Sequence, residues 1–460
     1  MQDHHEHNFE FSSDEWNTCL KVLMALKDHP EHNPDNQRFA GLISKIYKNH
    51  KKQSRKESYA DKQQENQNLR KETISAIQAL NNLSTYSSSQ TDQVVCSYKN
   101  FSTPQTCYVC NEKYLAIHSF YHRLCPNCAE YNYKMRFECA DLSNRNVIIT
   151  GGRVKVGYAT ALKFLKSGAN VCITTRFPAQ ALQQFMQETD YEIWANRLYV
   201  YGLDLRSLYH LEQFLEFYRD KYKTLDILIN NAAQTIHYPE TYYAPLIQRE
   251  QQAIQSGLQK KSLNWTANTT SLASGLAQIP DQFFPVDIDV NRFGQPVDYR
   301  EKNSWNSTLS DIGLQELLEV NLINHIAPYR LIQGLKSCMD QSSHTEKFII
   351  NITSSEGIFS YHNKTKYHPH TNMTKAALNM LTRTSAQDLI NDQIYMCAVD
   401  VGWISTGVSE KIRLKQFDKA VIPPLDSVDG ASRVMHPIIE GIRGHYFIGV
   451  LLKDYAIHSW

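Results

Sequence analysis

Residues 147–158 read V-I-I-T-G-G-R-V-K-V-G-Y, and this stretch constrains the chain more than any other. Val147, Ile148 and Ile149 run into Thr150, Gly151 and Gly152. Gly157 closes the segment, and Ala159, Ala161, Leu162 and Leu165 follow at helical spacing. The order predicts strand, glycine turn, helix. A helix start points unpaired N–H groups and the positive end of its dipole into such a turn. The occupant that suits it is a pyrophosphate. Glycine serves where the turn is tight and the backbone must come close to a phosphate.

From Asp141 onward, apolar strands alternate with helical patterns. The strands are expected at 147–150, 171–175, 198–203, 227–229, 348–352 and 395–399. This alternation predicts an α/β fold, a doubly wound parallel sheet covered on both faces. At 460 residues the chain is long enough for two or three domains. Its 48 basic and 47 acidic residues give no global electrostatic reason for binding nucleic acid or an anionic membrane. No stretch approaches the apolar length of a membrane span. Ten cysteines without a secretory signal predict reduced thiols and a cytoplasmic protein.

Residues 1–83 read as a polar, helical region in which Ser12 and Glu15 fit a capping box. Residues 84–140 hold a Ser/Thr-rich linker and two C-x-x-C pairs, Cys107 with Cys110 and Cys125 with Cys128. Four thiolates suit the closed tetrahedral coordination of structural Zn²⁺. The second pair leads into a helical stretch, so a treble-clef-like module is expected. His118 and His122 lie between the pairs, but four cysteines already complete a site.

The remaining residues, 141–460, resemble the short-chain dehydrogenase/reductase family, a single Rossmann domain that binds NAD(P). The family motif T-G-x-x-x-G-x-G is met by Thr150, Gly151 and Gly157, whereas its middle glycine is Lys155. The resemblance implies dinucleotide contacts from Thr150, Gly151, Gly152, Arg153, Lys155, Val156 and Gly157. The second strand ends T-T-R. Arg176 stands where an acidic residue would select NAD, so NADP(H) is expected over NAD(H), with Arg153 as a second clamp. Asp204 and Leu205 correspond to adenine contacts. Asn231 and Ala232 lie in N-N-A-A, which resembles the family's N-N-A-G. Val399, Gly402, Ile404 and Thr406 resemble the segment that closes on the nicotinamide.

For the chemistry, the resemblance assigns Asn321 to a proton relay and Ser354 to the substrate oxygen. Lys375 matches the lysine of Y-x-x-x-K, but the tyrosine position is Thr371. A threonine hydroxyl is too weak an acid to replace a phenol. Tyr367 and His370 are the candidate proton donors, with His368 and Tyr361 in the same loop. An insertion at about 234–312 leaves the ligand-binding end of the fourth strand, either as a lid or as a partner surface. Two functions stay open: an NADP(H)-dependent oxidoreductase acting on a carbonyl or alcohol, and an inactive NADP(H)-binding subunit with structural or regulatory duties. A small-molecule substrate fits the first. A protein partner, met through the zinc module and the insertion, fits the second, and a homo-oligomer is compatible with either.

Overall fold

A computed structural model describes residues 10–80, 96–258, 265–266, 288–291, 294–361, 364–405 and 407–460. The Ser/Thr-rich linker and Thr406 lie outside them. The chain divides into two compact units, Met1–Asn66 and Gln67–Trp460.

The first unit is helical. Helix Ser13–Ala25 begins with the expected capping box. The Ser12 hydroxyl accepts from the Glu15 N–H, and the Glu15 carboxylate accepts from the Ser12 N–H at 2.7 Å. This helix buries none of its side chains. A single long helix, Asn36–Lys71, takes up the polar run that follows.

The second unit opens with helix Ile74–Leu80, then an antiparallel hairpin of β1 (Tyr98–Thr106) and β2 (Lys113–His118), then helix Pro126–Phe137. Cys107 and Cys110 occupy the hairpin turn. Cys125 and Cys128 occupy the start of the helix. After them comes a nine-stranded sheet. Its central strands are β3 (Asn146–Thr150), β4 (Asn170–Thr175), β5 (Leu198–Gly202), β6 (Ile227–Asn230), β8 (Lys347–Thr353) and β9 (Ile394–Asp400). A short β7 (Trp265–Thr266) forms one edge, and β10 (Leu451–Lys453) with β11 (Ala456–His458) forms the other. The order is β11-β10-β9-β8-β6-β3-β4-β5-β7, parallel throughout except for β11.

The central strands are apolar on both faces, as a doubly covered sheet requires. On one face, helices Lys155–Lys166, Pro178–Phe185 and Ser427–Ile442 bury Phe164, Phe185 and Ile438. On the other, helices Leu208–Lys221, Ala327–Asp340 and Pro369–Leu389 bury Phe214, Leu335 and Leu389. This is the Rossmann fold. Its strand order reverses between β3 and β6, the point where open α/β sheets bind ligands at their carboxyl ends.

The insertion is built onto this frame. Its helix Glu240–Ala253 packs beside Pro178–Phe185, and β7 joins β5 in parallel register, with Val200 opposite Trp265. Within the described residues the insertion also supplies Trp305, whose indole stacks on His368 with centroids 4.5 Å apart.

Candidate active site

The turn after β3 is held by Asn231. The Thr150 hydroxyl accepts from the Asn231 and Ala232 N–H groups, each at 3.0 Å. The Asn231 amide donates to the Thr150 carbonyl at 2.8 Å and the Gly151 carbonyl at 3.2 Å. Gly151 is left-handed, with φ +71. A Cβ on Gly157 would stand 2.2 Å from the Gly151 carbonyl oxygen. One on Gly152 would stand 2.5 Å from Ile173. Lys155, the first residue of its helix, has φ +53, so the departure from glycine falls where glycine fits without strain.

This turn opens on a cavity of about 1470 Å³, larger than one drug-sized ligand fills. Arg153, Lys155, Val156 and Arg176 line one end. The Arg176 guanidinium lies 4.8 Å from the Tyr243 ring, and that of Arg153 lies 5.3 Å from Phe177. Burial pulls Arg153 down to about 10, still charged at neutral pH. Arg176 Nη1 is buried without a hydrogen-bond partner among the described residues. A half-buried cation with an unmet buried donor atom suits an anionic ligand group, and the glycine cradle suits its diphosphate. The residues present therefore fit a phosphorylated dinucleotide.

The insertion roofs this end. Tyr238, Tyr242, Tyr243 and Leu246 line the cavity, and Glu250 caps helix Pro178–Phe185. Its carboxylate accepts from the N–H groups of Ala179 at 2.6 Å and Gln180 at 3.0 Å. Asp204 and Leu205, expected at the adenine, do not line the cavity. Asp204 is bound twice by Arg206, at 3.0 and 2.6 Å, and Leu205 joins the core.

The other end carries Ser354, Thr371 and Lys375. Ser354 follows β8, and the turn after it is clamped to helix Pro369–Leu389. Asn379 donates to the Gly357 carbonyl at 3.0 Å, and a Cβ on Gly357 would stand 2.7 Å from the Lys375 backbone. The Lys375 ammonium is buried and donates to the Ile352 carbonyl at 2.7 Å. Burial lowers it to about 8, against the pull of Glu356 and Asp400. Thr371 is 2% exposed, and its hydroxyl has no partner among the described residues. Val401, Gly402 and Ile404 complete this wall, with Gly402 at φ +82 and its N–H on the Asp400 carboxylate.

Neither expected proton donor lines the cavity. Tyr367 points outward and is 38% exposed. It sits in the loop ahead of the helix because Pro369 fixes the helix start two residues later. His370 is buried, with Nε2 3.0 Å from the Thr235 carbonyl and 3.4 Å from Glu316. A carbonyl only accepts, so the Nε2 proton is committed there. Tyr361 does line the cavity, and at 41% exposed it sits at its solvent-facing rim.

Asn321 donates to the Leu317 carbonyl of its own helix at 2.7 Å. The buried amide on that element is Asn324, inside a π-helical turn, Leu322–Ile326. Asn324 accepts from the Gln234 N–H and donates to the Gln234 carbonyl and the Thr374 hydroxyl. It joins the end of β6 to the lysine helix. A polar residue within the apolar run L-I-N-H was its only sequence signal.

The four cysteine sulfurs lie within 4.8 Å of one another, with Cys110 and Cys125 at 3.7 Å. A zinc tetrahedron with Zn–S of about 2.3 Å has edges of about 3.8 Å, so the cluster could hold such an ion. All four are free thiols.

The family model for short chain dehydrogenases matches residues 145–250 and 247–416, more than half of the chain. The chain belongs to the short chain dehydrogenase family. An uncharacterised protein of Acanthamoeba polyphaga mimivirus is 34% identical over 348 residues, covering 72% of this chain and 71% of that protein. The chloroplastic chlorophyll(ide) b reductase NOL of Oryza sativa subsp. japonica is 25% identical over 217 residues, 45% of this chain and 61% of that reductase. Among solved structures, a Pseudomonas aeruginosa RhlG/NADP active-site complex is 16% identical with a TM-score of 0.43. The match covers 68% of this chain and 95% of that one. No helix among the described residues is long and apolar enough to cross a membrane.

Proposed function

We propose that the chain is an NADP(H)-dependent oxidoreductase acting on a carbonyl or alcohol. One observation carries this reading. The cationic end formed by Arg153, Lys155 and Arg176 opens on the same cavity as Ser354 and Lys375. When bound, NADPH would supply the hydride for converting a carbonyl carbon into an alcohol. Arg176 and Arg153 hold the 2′-phosphate, and the glycine turn holds the diphosphate. Ser354 donates to the substrate oxygen as charge gathers on it. Lys375 adds positive charge beneath that point. Tyr361 gives the proton to the same oxygen, in place of the hydroxyl that Thr371 cannot supply. The four cysteines hold a structural zinc ion.

The test is NADPH binding followed by a carbonyl screen with Tyr361→Phe alongside. Turnover in the wild type, lost in the variant while NADPH affinity stays, supports the assignment. Full activity in the variant removes Tyr361 from it. A second reading is favoured by Thr371 itself, which leaves the usual phenol position empty of an acid. In that reading the chain binds NADP(H) as a regulatory subunit. NADPH binding without turnover on any carbonyl of a broad panel supports it.

A further inference from the structure

The cysteine module does not stand apart from the cavity. Cys107, Tyr108, Val109, Asn111 and Arg123 line it directly. Tyr108 lies between the first two cysteines, and its hydroxyl accepts from the Trp403 N–H at 2.8 Å. The Arg123 guanidinium lies 5.5 Å from the Trp403 indole. The Tyr108 N–H donates to the Arg123 carbonyl at 2.9 Å, and the Cys125 N–H donates to Cys107 Sγ at 3.3 Å. Both grips on Trp403 are thus tied to the sulfur cluster. Trp403 follows Gly402 in the cavity wall, and Val156 and Ile404 pack against the module's core.

The module is fixed from behind. Arg136 pairs with Asp426 at 2.8 Å and Asp429 at 2.9 Å, and the Tyr121 hydroxyl donates to Asp429 at 2.5 Å. Arg433 donates to Asn132 at 2.6 Å. These are buried, charge-assisted contacts that hold the knuckle in register with helix Ser427–Ile442.

We infer that the metal-organised knuckle is a wall of the dinucleotide cavity and that Tyr108 is its positioning residue, setting the 401–405 segment through the Trp403 N–H. This rests on the NADP(H) reading above.

The test uses the full chain under reducing conditions, comparing wild type, Tyr108→Phe and Tyr114→Phe. Metal content, melting temperature and NADPH Kd are measured on each. Tyr114 belongs to the same module, but its hydroxyl has no partner among the described residues and it is not on the cavity. The expected result is equal metal content and similar melting in all three, with NADPH Kd raised roughly tenfold in Tyr108→Phe alone. An unchanged Kd in Tyr108→Phe, with wild-type binding intact, overturns this inference and leaves the NADP(H) reading standing. Absence of NADPH binding in the wild type overturns both.

Discussion

The Lys375 ammonium donates to the carbonyl oxygen of Ile352 at 2.7 Å, directly beneath the strand end that carries Ser354. Burial holds this lysine at about 8. Its folded value lies below its unfolded one, so its contribution to stability is complete above the unfolded value and falls away as pH drops to about 8. The anionic dinucleotide prefers the charged form. NADPH affinity should therefore weaken as pH rises through about 8, while melting temperature gains. Lys375→Met should lose both inflections, as read by titration and thermal melts across that range.

Arg176 carries the choice of cofactor. Arg176→Asp removes a half-buried cation with an unmet donor and puts a carboxylate where the 2′-phosphate is proposed to bind. NADPH Kd should rise by about 10- to 100-fold, with NADH affected far less. Equal losses for both dinucleotides in a binding titration would remove the 2′-phosphate assignment.

Gly157 has no room for a side chain. A methyl group there meets the Gly151 carbonyl oxygen and the Asn231 amide at 2.2 and 2.5 Å. Gly157→Ala should cost at least about 1–3 kcal/mol in denaturant unfolding and abolish NADPH binding. Retained affinity would mean that the turn is not the diphosphate cradle.

Arg136 anchors the cysteine module. Removing one partner of a buried ion pair leaves uncompensated charge, here Asp426 and Asp429. Arg136→Met should destabilise the chain by about 3–5 kcal/mol in chemical denaturation at neutral pH. A change under about 1 kcal/mol would show the network to be dispensable.

Local patterns made much of this readable in advance. The apolar run into Gly151 and Gly157, and the alternation after it, lead directly to the parallel sheet. The paired C-x-x-C spacing leads to the sulfur cluster. Contacts made across long sequence separations were not readable. Nothing near Tyr108 announces Trp403, and nothing near Glu250 announces the start of a helix at Pro178. Spacing placed Tyr367 and His370 near Lys375, but spacing does not give direction. Pro369 leaves Tyr367 in a loop facing outward, and His370 turns to the Thr235 carbonyl. Asn321 matched a motif, whereas a π-helical turn placed the buried amide at Asn324.

Lys155 holds a left-handed backbone where glycine would rest without strain, a cost of about 1–2 kcal/mol for a residue with a side chain. In the cavity that lysine adds positive charge beside the diphosphate cradle. Heat resistance and ligand capture thus pull this position in opposite directions. A library of variants screened only for survival at high temperature should drift to glycine at 155 and emerge sturdier and less able to hold its dinucleotide.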